Sequence, residues 1–100
     1  MEKQYRHQDV VAGTTGQPIP IDSAFGAGVA CTPGSGGTMS VSFTLSAPSK
    51  VKAGTANWIT WPSGTVSTAT ADSILGGATA VKATATTADG VFEVVQGGER

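Results

Sequence analysis

In the stretch "TMSVSFTLS", residues 38–46, apolar and hydroxylated residues alternate without a break. Met39, Val41, Phe43 and Leu45 fall on one parity, and Ser40, Ser42, Thr44 and Ser46 on the other. A helix turns about 100° per residue and scatters such a set around its axis. A strand places it on one side, so this pattern fixes a half-buried β-strand. A half-buried strand needs partners and a second layer to cover its apolar face, which steers the whole chain towards an all-β solution.

The remaining chain agrees with that solution. "QPIPIDSAF" puts Ile19 and Ile21 on one face, and its two prolines confine it to a sheet edge. "GVACT" reads as a short strand before the turn "PGSGG", and a further strand is expected around Val66 to Thr70, followed by a loop holding Ile74 and Leu75. "APSKVKAGT" reads as a loop. In "ATAVKATATTADGVFEVVQ", Asp89-Gly90 is the pair favoured by a type I′ turn, which predicts a terminal hairpin. Val81, Ala83 and Ala85 would face inward from one strand and Phe92 and Val94 from the other. No stretch carries a helical period. The expectation is an antiparallel β-sandwich or jelly-roll-like barrel of six to eight short strands over residues 17–100.

Residues 1–16 differ in character. They hold Glu2, Lys3, Arg6 and Asp9 together with the chain's single His and single Tyr, and they end in "AGTTG". They read as an extended N-terminal arm, either a frayed terminus or a segment that orders on a neighbouring subunit through Tyr5, Arg6, Val10 and Val11.

Trp58 and Trp61 in "ANWITWPSG" are two of only six aromatic residues. Three positions apart on a strand they point to opposite sides, so one can fill the core while the other covers a rim or a subunit contact. A solvent-exposed sugar-stacking pair beside Asn57 is the competing reading. The candidate partner-binding set is therefore Tyr5, Arg6, Val10, Val11, Ile19, Ile21, Trp58 and Trp61.

Catalytic and metal chemistry have little to work with. His7 lies in the arm, where nothing is expected to hold it against a nucleophile. Cys31 is alone, and no clustered ligands or phosphate loop occur, so no cofactor and no metal are expected. Only 13% of residues are charged and the net charge is −1, which argues against nucleic acid and anionic membranes as partners. No apolar run nears the ~20 residues of a membrane span, and the first residues lack the apolar core of a secretory signal. Residues 23–49 carry no charge, and a neutral Ser/Thr/Gly/Ala surface is inexpensive to bury against other subunits.

In their order, "GGTMSVSFTLS", "ANWITWPSGTVST" and "LGGATAVKATATTADGVFEVVQ" resemble small β-sandwich proteins encoded in the structural-gene cassettes of tailed bacteriophages. The likeness covers about the last 65 residues, and the leading arm resembles those of capsid decoration (cement) proteins. The resemblance implies a virion structural protein without enzymatic activity, assembled in the host cytoplasm and displayed on the particle. Its partners would be the major capsid protein or other virion subunits, with a homotrimer or another symmetric homo-oligomer as its own state. A tail, adaptor or fibre-associated component and a glycan-binding module remain alternatives.

Overall fold

The computed structural model describes residues 4–23 and 26–96. Nine strands and one short helix are found among them: β1 Gln4–Val10, β2 Thr14–Thr15, β3 Ile19–Pro20, β4 Ala27–Pro33, β5 Thr38–Thr44, α1 Pro48–Ala53, β6 Ile59–Thr60, β7 Thr70–Ile74, β8 Ala80–Thr86 and β9 Gly90–Gln96. They form two antiparallel sheets packed as a sandwich. Sheet A runs β1-β9-β4-β7, and sheet B runs β2-β8-β5-β6 with β3 also on β8. Most connections carry the chain from one sheet to the other.

Strand β5 behaves as its alternation requires. Met39, Val41 and Phe43 are buried, and β8 pairs with it from Thr38↔Thr86 to Thr44↔Ala80. The alternation fails at its end: Thr44, expected outward, is fully buried, the strand stops there, and Leu45 lies 52% exposed. β8 contributes Val81, Ala83 and Ala85, while β9 contributes Phe92 and Val94. Trp61, Ile74, Val29, Val10 and Cys31 complete the core. Ile19 is buried on the edge strand β3, with Ile21 packed partly against the same core.

The residues expected to form a hairpin do not. β8 belongs to sheet B and β9 to sheet A, so the turn between them is a crossing between layers. Its positive φ falls on Thr87, not on Asp89-Gly90. The carboxylate of Asp89 instead accepts the Ala12 N–H at 2.8 Å. Gly90 leaves room for the buried Met39 side chain, which a Cβ there would displace, standing 2.3 Å from its Sδ.

Three further expectations are corrected. The strand sought at Val66 to Thr70 is instead β7, which pairs with β4 and buries Ile74, leaving Val66 a single bridge to Met39. The loop after β5 contains α1, begun by Pro48 at the first turn and stopped by Gly54 at φ 78°. Six residues with no buried member leave no amphipathic signature to read.

The third concerns the arm. β1 is extended, but it lies on its own sandwich: seven residues pair with β9, from Gln4↔Gln96 to Val10↔Gly90. Val10 is 1% exposed, and Gln8 Nε2 donates to the Gln17 carbonyl at 3.2 Å, joining β1 to the segment between β2 and β3. Residues 1–3 of that arm lie outside the described residues.

Candidate docking surface

The eight candidate residues separate by burial. Val10, Ile19 and Trp61 are consumed by the protein's own core and are not surface groups. Ile21 is partly buried beside them. Tyr5 is 74% and Val11 61% exposed, and Arg6 is exposed on the edge of sheet A. Trp58 is half-buried on sheet B, with the Lys82 ammonium 4.2 Å from its ring centroid. The two indoles therefore form no shared platform. Trp61 is inward, anchored by its backbone N–H to the Val41 carbonyl at 2.8 Å and by its indole N–H to Gly64.

The outer faces of the two sheets differ in chemistry. On sheet B, Ser40, Ser42 and Thr84 alternate with buried residues, and the Thr15 and Thr84 hydroxyls lie 2.8 Å apart. All the described lysines belong to this side, Lys82 on β8 and Lys50 and Lys52 on the helix joining β5 to β6. The acidic residues of described strands, Asp9, Asp72 and Glu93, lie in sheet A together with Arg6, and Asp72 stands opposite the buried Val29 on the side facing sheet B.

Sheet A carries an open trough of about 450 Å³. Gly28, Ala30 and Ala71 form its floor, and Val95 and Tyr5 its rising side. The register explains the shape. Tyr5, Val95 and Gly28 are cross-strand neighbours, as are His7, Glu93, Ala30 and Ala71, so bulk descends across the face from β1 to β4. These floor residues escaped sequence reading because glycine and alanine carry no signal of their own. Their parity, opposite to Ala27, Val29 and Cys31, is the one trace that pointed outward.

His7 stands at the trough with its Nε2 3.2 Å from Asp9 Oδ1 and its Nδ1 3.9 Å from Glu93 Oε2. None of the residues lining the trough is Ser, Thr or Cys, and the side-chain hydroxyl beside His7 there is the Tyr5 phenol. Among the described residues no group of three or more His, Cys, Asp or Glu side chains could hold a metal ion. Burial pushes the Cys31 thiol up to about 11, which keeps it protonated and inert.

Asp72 secures the opposite edge of sheet A. Its carboxylate accepts the Ser63 hydroxyl at 2.7 Å and the Ser73 N–H at 2.7 Å, tying β7 to the turn that follows Trp61. The Ser63 hydrogen bond, then that from Ser73, holds its pKa below the usual carboxylate value. A depressed acid stabilises the fold above its unfolded pKa, and that contribution disappears as pH falls through the folded value. Wild-type stability is accordingly expected to decline relative to Asp72→Asn as pH drops below about 4. Urea midpoints of both proteins across this range test it, and a gap that stays constant with pH refutes it.

No family model matches the chain, and no curated protein or solved structure matches it either.

Proposed function

We propose that this protein is a non-enzymatic structural subunit that works by docking onto other subunits. More particularly, we read it as a bacteriophage capsid decoration (cement) protein that binds and stabilises the major capsid lattice. The observation carrying this reading is the trough of sheet A, an open and largely apolar β-face with a tyrosine at its rim. Interface cores are enriched in aromatic residues and arginine, and the trough has Tyr5 and Arg6 in its lining and no lysine. The scarcity of charge over the middle of the chain and the likeness to phage structural proteins support the same reading.

The reading places the major capsid protein, or another virion subunit, on this face. The site is the particle surface, and assembly takes place in the host cytoplasm. Of the candidate partner contacts, Tyr5 and Arg6 remain exposed near the trough. Trp58, partly covered by Lys82 on the other sheet, is left as a lone aromatic for the glycan alternative.

Co-sedimentation with assembled capsid shells tests the proposal. Wild-type protein is expected to pellet with shells. Ala30→Glu, which plants a charge on the trough floor, is expected to weaken binding by roughly tenfold or more while leaving the circular dichroism spectrum unchanged. Wild-type protein that stays in the supernatant, or an Ala30→Glu variant that binds as well as wild type, defeats it.

A further inference from the structure

The free edges of the two sheets are unequal. β2, β3 and β6 have two residues each, too short to template a partner. β7 is blocked at its centre by Asp72, whose side chain is turned towards the turn at Ser63. β1 alone offers a seven-residue edge among the described residues.

Charges on an edge strand ordinarily guard it against addition. On β1 the outward polar groups are ordered so that an imidazole meets a carboxylate when the strand is laid antiparallel against itself. The outward row reads Tyr5, His7, Asp9 and then Val11 just past the strand: an aromatic, a base, an acid and an aliphatic residue. Residues directly opposite in an antiparallel pair share a face. Two copies related by a two-fold axis perpendicular to the sheet can therefore pair only in registers that set this row against itself.

Four registers centre the axis on the strand's charged middle. Centred on His7, two imidazoles meet and Tyr5 faces a carboxylate. Centred on Asp9, two carboxylates meet, and centred on Arg6, two guanidinium groups meet. Centred on Gln8, His7 faces the partner's Asp9 on both sides of the axis, and Tyr5 faces the partner's Val11 on both sides. That register sets each imidazole opposite a carboxylate that can accept its N–H, and it joins two of the chain's most exposed large apolar residues, 74% and 61% exposed.

We propose that β1 pairs with β1 of a second copy in the register centred on Gln8, joining two four-stranded sheets A into one continuous sheet. The protein is then a two-fold dimer, a symmetric homo-oligomer other than the homotrimer. Both troughs lie on the same face of the joined sheet, so the dimer presents two copies of the docking surface to one partner. The dimer does not depend on what that partner is.

Sedimentation velocity of the purified full chain, without shells, tests the pairing apart from the virion reading. Wild type is expected to reach twice its 9.9 kDa mass as concentration rises. His7→Asp sets like charges opposite each other twice and is expected to weaken the dimer by roughly tenfold or more. Adding Asp9→Lys to it is expected to restore association. Gln8→Cys is expected to form a disulfide dimer under mild oxidation, with Cys31 silent because it is fully buried. A folded wild type that remains monomeric at millimolar concentration overturns the proposal. So does a dimer indifferent to His7→Asp, or one that cross-links through His7→Cys or Asp9→Cys in preference to Gln8→Cys.

Discussion

Deleting residues 1–10 is expected to unfold the sandwich, not to free it of a tail. β1 forms the whole of one edge of sheet A, and its removal bares one side of β9 along seven positions while β4 still pairs with the other side. Val10, 1% exposed, leaves with it. Burial of one valine is worth about 1.5–3 kcal/mol, and each net backbone hydrogen bond lost adds about 1 kcal/mol. The combined loss of several kcal/mol rivals the 5–15 kcal/mol by which domains are typically stable. The truncated chain should show no cooperative thermal transition by near-ultraviolet circular dichroism, and it should aggregate through the bared β9 edge. A truncated protein that melts cooperatively at the wild-type midpoint disproves this account of β1.

That expectation reverses the one the sequence suggests, and the reason is physical. Strand β1 reads "QYRHQDV", with Val10 its single buried side chain over residues 5–10, because its attachment to β9 comes mainly from the backbone, which composition does not reveal. Strand β5 was legible because its three buried apolar residues alternate with hydroxyls, and Ile19 was legible as an edge residue because proline flanks it on either side. The pair Asp89-Gly90 misled because two different demands, a carboxylate for Ala12 and empty space for Met39, converge on the residues a tight turn also prefers. Of the candidate surface, Tyr5 and Val11 were visible as apolar residues in polar company. The trough beneath Tyr5 was not, since it is made by the absence of side chains at Gly28, Ala30 and Ala71.

The two tryptophans should respond to truncation in opposite measure. Trp61 is 2% exposed and is the largest fully buried side chain. Removing a buried indole costs about 3–5 kcal/mol, through lost transfer energy and the cavity left behind. Few large neighbours can collapse into that space, because much of the core is alanine: Ala27, Ala78, Ala83 and Ala85. Trp61 also joins the β5 backbone, through Val41, to the turn at Gly64 that leads towards Ser63 and Asp72. Trp61→Ala should therefore lose a large share of the unfolding free energy and expose both sheets to urea at low concentration. Trp58 gives up only a half-buried ring and its contact with Lys82, a cation–π pair worth about 0.5–1 kcal/mol at an exposed site. Trp58→Ala should shift the urea midpoint far less than Trp61→Ala, and the fluorescence of that variant should retain the blue emission of a buried indole. Equal destabilisation by the two substitutions, or a larger effect at Trp58, contradicts the division of labour between the core and the sheet B surface.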